Sequence, residues 1–324
     1  MCAESVHNGC MWKESLAFTV VLASAALVYG APAVNPWPSY EEPAPGPARS
    51  IGEYSAGCLQ GAEALPLDGV GYQVMRPGRR RNFGHPALVD YVRELGKDVK
   101  KKGLGVLLVG DLSQARGGRS ANGHASHQTG LDVDIWYAHP QRALRALLPL
   151  AVRDELVAES VVDDKRQALV PRWKKRVSKL LRIAAEGEHV ERVFVNPAIK
   201  QALCEQPTEQ RAWLRKIRPW YGHADHFHVR LGCMAGDVDC QGQAALPPGD
   251  GCDKLTMWLR PRARVVAPRK PAVVLPGPRK NNSYQKTLQQ YRKSIHEGRG
   301  WPERCDALLE QAPTGERLAM PSST

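Results

Sequence analysis

The chain has 324 residues, with 45 Lys and Arg against 33 Asp and Glu, a formal net charge of +12. Hydrophobic residues make up 43% of it, enough for one domain with a sizeable core. No nucleic-acid-binding motif accompanies the basic surplus, so the charge points to anionic envelope polymers or lipid headgroups rather than to nucleic acid.

In chain order, residues 1–33 read as an export signal peptide. Leu16 to Tyr29 is almost wholly apolar, interrupted only by Thr19 and Ser24. The run is short for a membrane span, and Ala31-Pro32-Ala33 offers an A-x-A-like cleavage site. Lys13 is offset by Glu14, and a start at Met11 gives a shorter, more usual signal; an uncleaved anchor is the alternative. Cleavage removes Cys2 and Cys10. The six cysteines left are Cys58, Cys204, Cys233, Cys240, Cys252 and Cys305, an even set that suggests disulfides in an exported chain and leaves several pairings open. No Cys-x-x-Cys occurs, so neither a redox motif nor a zinc ribbon is supported.

Val34 to Arg49 is a Pro/Ala-rich leader, and a globular domain spans residues 50–258. Gly71 to Met75 is a strand candidate. His85 to Lys97 has Leu88, Val92 and Leu95 at helical spacing, with Pro86 near the helix start. Leu104 to Val109 suits a buried strand. The loop Arg116-Gly117-Gly118-Arg119 follows, and its two cations can hold a substrate carboxylate or sit on a solvated surface. Helices are expected over Gln141 to Ser160, Trp173 to Glu186 and Ala198 to Cys204, with a strand at Val190 to Val195. Pro219-Trp220-Tyr221 can line a cleft or cover the core, and core is the expectation. Residues 259–284 form a basic, Pro-rich linker and 285–324 a weakly helical tail. Mixed elements without a regular β-α repeat argue for an α+β fold, a small antiparallel sheet flanked by helices.

Two windows carry the chemistry. In Gly123-His124-Ala125-Ser126-His127-Gln128-Thr129-Gly130-Leu131-Asp132-Val133-Asp134-Ile135-Trp136, apolar and acidic residues alternate from Leu131, the period of a strand with one buried face. Asp132 and Asp134 then share the other face, an arrangement that is costly unless a cation is near. In His223-Ala224-Asp225-His226-Phe227-His228-Val229-Arg230-Leu231, Phe227, Val229 and Leu231 take one face, and His226, His228 and Arg230 the other. Five of the ten histidines fall in these windows. Imidazoles with one carboxylate suit zinc and leave a position open.

The spacing His127-x6-Asp134 with His226-x-His228 resembles the zinc peptidases that include lysostaphin, D-Ala-D-Ala carboxypeptidases and hedgehog proteins. The strings Ser126 to Asp134 and His226 to Leu231, with Tyr72 to Arg76, Phe83 to Pro86 and Val195 to Lys200, narrow the resemblance to the penicillin-insensitive murein endopeptidase family. It covers about Ser50 to Trp258. It implies zinc held by His127, Asp134 and His228, with His124 an extra ligand or a nearby donor. His226 is then the proton carrier, His223 its orienting or charge-stabilising partner, and Asp132 a residue that orients a ligand. It also implies the pairs Cys58–Cys305, Cys204–Cys252 and Cys233–Cys240, a periplasmic location, and cleavage of D-Ala–meso-diaminopimelate cross-links in peptidoglycan. Insensitivity to β-lactams follows from a mechanism with no serine to acylate. Some relatives hold a second metal; here Asp164 is present but Gln167 stands where a His is needed. Ser283-x-x-Lys286 lacks a companion Lys-Thr-Gly and reads as chance. A zinc D,D-carboxypeptidase and a non-catalytic murein-binding protein are the rival readings, and no oligomeric state is legible.

Overall fold

The computed structural model describes residues 35–121, 124–137, 143–163, 165, 168–171, 173, 175–207, 209–259 and 301–311. The expected signal peptide, the linker and tail apart from Leu259 and 301–311, Asp164, Gln167 and Ser283-x-x-Lys286 lie outside the described residues. No helix among the described residues is long and apolar enough to cross a membrane.

The main sheet has seven strands, in the order Ile217–Pro219, Val190–Val195, His226–Leu231, Asp132–Trp136, Leu107–Val109, Tyr72–Val74 and Asp68–Gly69. It is larger than the small antiparallel sheet expected, and it is mixed. Its centre is antiparallel: His226–Leu231 pairs with Val190–Val195 on one side and Asp132–Trp136 on the other. Parallel pairs appear where a helix intervenes. Helix Pro86–Lys101 separates Tyr72–Val74 from its parallel neighbour Leu107–Val109, and helix Pro197–Cys204 separates Val190–Val195 from Ile217–Pro219. A crossover helix is what lets consecutive strands run the same way.

The alternation read in the two windows is realised. Leu131, Val133, Ile135, Phe227, Val229 and Leu231 are fully buried in one apolar cluster. Leu88, Val92 and Leu95 of the first long helix and Val177, Leu180 and Leu181 of helix Lys175–Glu186 complete it. A helix with apolar residues three and four apart presents one such face to a sheet. His85 caps the first helix, its Nδ1 accepting from the Ala87 amide at 3.2 Å, and Pro86 occupies the first turn. Asn196 does the same for Pro197–Cys204, accepting from Ala198 at 2.9 Å.

The helix expected over Gln141 to Ser160 is largely absent from its described part, and only Leu150–Glu155 is helical. Two causes are visible. Pro149 supplies no amide and limits the helix to residues that follow it. Ahead of it, the fully buried Gln73 takes over the main-chain partners: its Nε2 donates to the carbonyls of Ala143 (2.7 Å) and Ala146 (3.1 Å), and its Oε1 accepts from the Leu148 amide (2.9 Å).

A second, three-stranded sheet joins Arg49–Glu53 to Ala56–Gln60 and Cys240–Gln241. All three disulfides pair as the resemblance implied. Cys58–Cys305 ties helix Glu303–Glu310 to this sheet, where Trp37, Tyr40, Ile51, Leu308 and Leu309 form a separate core. Arg116 belongs to that core and to no cleft. It is fully buried, donates to the carbonyls of Glu42, Leu308 and Gln311, and lies 4.1 Å from the centre of the Tyr40 ring. Neither expectation for it holds, because a sequence window cannot show that the segments around Glu42 and around Leu308 to Gln311 fold over this loop; Arg119 is exposed.

Gln73→Leu keeps the volume of the side chain but strips two carbonyls and an amide of their partners. Urea unfolding should show a loss of about 2–4 kcal/mol, where a mere surface role for the 143–148 segment predicts almost none.

Candidate functional site

The register of the two central strands builds the site. His228 stands opposite Asp134, and Arg230 opposite Asp132. Their polar side chains therefore meet on the sheet face away from the main apolar core. His127 reaches the same point from the preceding turn, in a left-handed conformation with φ of 68°. That geometry is disfavoured for a non-glycine residue by about 1–2 kcal/mol and is held in place locally. The His127 amide donates to Asp132 Oδ2 at 3.0 Å, and its carbonyl accepts from Ser113 Oγ at 2.7 Å. The turn closes through Gly130, φ 73°, where a Cβ would meet Leu59 Cδ2 at 2.4 Å.

Four of the sequence-predicted histidines converge on the carboxylate of Asp134. Asp134 Oδ1 lies 3.3 Å from His127 Nε2, 3.2 Å from His228 Nδ1 and 3.6 Å from His226 Nε2; its Oδ2 lies 3.4 Å from His124 Nδ1. His223 stands beside them, its ring centre 5.1 Å from that of His226 and 5.8 Å from that of His228. Donor atoms of His124, His127 and Asp134 fall within 4.8 Å of one another, a group able to hold a metal ion. Both ring nitrogens of His127 and Asp134 Oδ1 are buried without a hydrogen-bond partner. Buried polar atoms left so are costly unless something else satisfies them, and a cation fits a carboxylate ringed by imidazoles.

Around this group sit residues that fix its members. Asp132, fully buried, contacts His228 Nε2 at 2.8 Å and accepts from Arg230 Nε at 2.7 Å and Nη2 at 3.2 Å. Asp225 Oδ1 lies 2.6 Å from His226 Nδ1. Asp111 Oδ2 lies 3.2 Å from His124 Nε2, and the same carboxylate takes Arg79 at 3.0 Å and Arg81 at 2.7 Å. Sequence reasoning missed Asp111, Asp225, Arg79 and Arg81 as parts of the site. The one available signal was an acid placed directly after the buried run that ends at Val109 and Gly110.

The histidines are pushed apart electrostatically. Burial lowers His223, and the charges of His226 and His228 lower it further, to about 3. Burial also acts downward on His226, but Asp134 and Asp225 outweigh it and raise that imidazole to about 9. His228 is likewise raised against burial, by Asp132 and Asp134. Burial would raise Asp134, yet the neighbouring His127 and His226 hold it well below the usual carboxylate range. Two nearby groups with separated proton affinities are a common arrangement for acid–base work.

Two clefts border the cluster, each lined by different members of it. One, of about 240 Å³, is lined by Arg76, Arg79, Asp111, His124, Asp225 and His226. The other, of about 490 Å³, is lined by Tyr54, Phe194, Trp220, His223, His228 and Arg230. Trp220 is 54% exposed, so it lines this cleft and does not cover the core as expected. Its ring lies 5.9 Å from that of Phe194, across from His228. A larger hollow of about 920 Å³, lined by Arg192, Arg211 and Arg215, includes none of the clustered histidines or aspartates.

A family model described as penicillin-insensitive murein endopeptidase matches residues 50–310. A relative of that name from Klebsiella pneumoniae (strain 342) is 47% identical over 255 residues, 78% of this chain and 89% of the relative. Another of that name from Escherichia coli O1:K1 / APEC is 44% identical over the same length, with the same coverage. The match spans both ligand strands, the turn that carries His127 and the arginine-lined cleft, and on it the chain belongs to the penicillin-insensitive murein endopeptidase family.

Proposed function

We propose that this protein is a zinc-dependent murein D,D-endopeptidase that hydrolyses D-Ala–meso-diaminopimelate cross-links of peptidoglycan in the periplasm. The observation that carries the reading is the buried His127–Asp134 pair, with both His127 ring nitrogens and Asp134 Oδ1 lacking hydrogen-bond partners, in a cluster that borders two clefts. A cleft on each side of the cluster accommodates a chain that continues in both directions. That favours cleavage within a cross-link over trimming of a free end, the carboxypeptidase alternative.

In this reading His127, Asp134 and His228 hold the ion, with His124 as a further ligand or a donor beside it. Zinc held there would polarise the scissile carbonyl and lower the pKa of water towards neutrality. Asp132 fixes His228 through Nε2, and Arg230 fixes Asp132 in turn. Asp225 holds His226 Nδ1, which leaves Nε2 turned to the cluster. In its neutral form the His226 imidazole can accept a proton at Nε2. It takes that proton from the attacking water and delivers it to the leaving amine as the C–N bond breaks. His223 remains neutral and offers a donor to the negative charge that develops on the carbonyl oxygen. No residue is acylated, which accounts for indifference to β-lactams. Residues 1–33 act as the signal peptide, 34–49 as a leader, 50–258 as the peptidase domain, 259–284 as a linker and 285–324 as a tail held through Cys305. The three disulfides support an oxidising compartment.

Purified protein incubated with cross-linked muropeptide dimers should release monomers, read by mass, only with metal present and equally with or without penicillin. His226→Ala should cut turnover by about 10²–10⁴-fold while retaining its metal, whereas His228→Ala should lose the metal. Loss of terminal D-Ala from intact dimers would move the assignment to a carboxypeptidase, and binding without cleavage to a wall-binding module.

Metal uptake should also depend on pH in a fixed direction. His228 holds its proton further up the pH scale than a free imidazole, and zinc needs the neutral ring. Affinity should therefore rise with pH through and above the ordinary histidine range, with protons released on binding. Calorimetry in two buffers of different ionisation heat measures that release; buffer-independent heats would contradict it.

A further inference from the structure

The arginines of the smaller cleft are not equivalent. Arg79 and Arg81 share the one carboxylate of Asp111, at 3.0 Å and 2.7 Å. Arg76 lines the same cleft and forms no ion pair among the described residues, Asp111 and Asp225 acting on it only as more distant charges. Its Nε donates to the Leu156 carbonyl at 3.0 Å, and its guanidinium carbon lies 5.5 Å from the centre of a Trp136 ring. Its two terminal nitrogens have no partner among the described residues. The side chain is aimed by a backbone in the left-handed region, φ 55°, held by the Arg76 amide donating to Arg153 O at 3.2 Å and by Arg79 N donating to Arg76 O at 3.0 Å. A non-glycine residue in that region costs free energy and persists where the surroundings enforce it. Asp225, the one other acid lining the cleft besides Asp111 and Asp134, already holds His226 Nδ1. The result is a preset, half-buried fork of donors that is in no ion pair among the described residues, in the cleft that His226 also lines.

We infer that Arg76 is a specificity residue that binds the free carboxylate next to the scissile amide, on the diaminopimelate side of the cross-link. The inference rests on the endopeptidase reading above. In such a cross-link the leaving nitrogen sits on a carbon that also bears a carboxyl group. His226 hands its proton to that nitrogen, so the diaminopimelate half occupies the cleft that His226 lines, and the D-Ala half extends past His223 and Trp220. A carboxylate two bonds from the leaving nitrogen then falls on the side where Arg76 offers its paired N–H groups, a geometry suited to a carboxylate. An amide in its place removes the charge and presents donors to donors.

The test compares a muropeptide dimer carrying free carboxylates with the same dimer carboxamidated beside the cross-link, using the zinc-loaded full chain. Wild type should prefer the free acid in kcat/KM by about ten- to a hundredfold. Arg76→Gln should bring the ratio of the two substrates close to one, and Arg76→Lys should restore part of it; thermal melting checks that each variant folds. A purely structural Arg76 would lower both rates together and leave the ratio intact. In parallel, calorimetry with the diaminopimelate tripeptide product, as free acid and as amide, needs no turnover. Wild type should bind the acid at least about tenfold more tightly, and Arg76→Gln should not discriminate. Equal wild-type handling of acid and amide, or a preference that survives in Arg76→Gln, overturns the inference. Should neither dimer be cleaved by wild type, the endopeptidase reading fails, and the binding comparison alone still decides Arg76.

Discussion

Asp132 and Asp134 are two carboxylates buried two residues apart on one strand face, and the surrounding structure answers their charge. Burial alone would neutralise both, yet both are held well below the ordinary carboxylate range by the cations and imidazoles around them. Asp132 is satisfied within the protein, by Arg230, His228 and the His127 amide. Asp134 is not: imidazoles surround it and Oδ1 has no hydrogen-bond partner. The two acids thus divide the work, one fixing the frame and the other facing the ion proposed above.

That division depends on the sheet. Antiparallel pairing sets His228 against Asp134 and Arg230 against Asp132, and a slip of one residue would turn every one of these groups into the apolar core. The core opposes such a slip, because Val133, Ile135, Phe227 and Val229 are packed under the two long helices. Packing on one face therefore enforces chemistry on the other. Outside the ligand strands, charge is handled in graded fashion. Asp111 pairs with Arg79 and Arg81, Asp225 holds His226, and Arg76 lines the same cleft without an ion pair among the described residues.

The elements that sequence reading placed well are those whose pattern is local. Strand alternation around Asp134 and His228, the helix start near Pro86, the strand end at Asn196-Pro197 and the helix expected over Trp173 to Glu186 all follow from neighbours within a turn or two. The failures share a cause. The 143–149 segment has helical periodicity, but Gln73, some seventy residues earlier in the chain, captures its main-chain groups. Arg116 reads as a cation in a surface loop until the segments around Glu42 and Gln311 close over it. Trp220 follows a buried strand and reads as core, yet its ring stands out over the cleft. In each case the deciding partner is distant in sequence, and no local pattern encodes it.

By itself, the sequence determined the alternating strand faces, the acid–imidazole complement for one ion and the family strings, because these are carried by residue identity at short fixed spacing. Tertiary structure decided which atoms of that complement meet, which arginine in the cleft lacks a carboxylate, and that a groove opens on each side of the cluster. Those are outcomes of register and of long-range burial. They depend on where separate segments come to rest against one another, which is fixed only when the whole core closes.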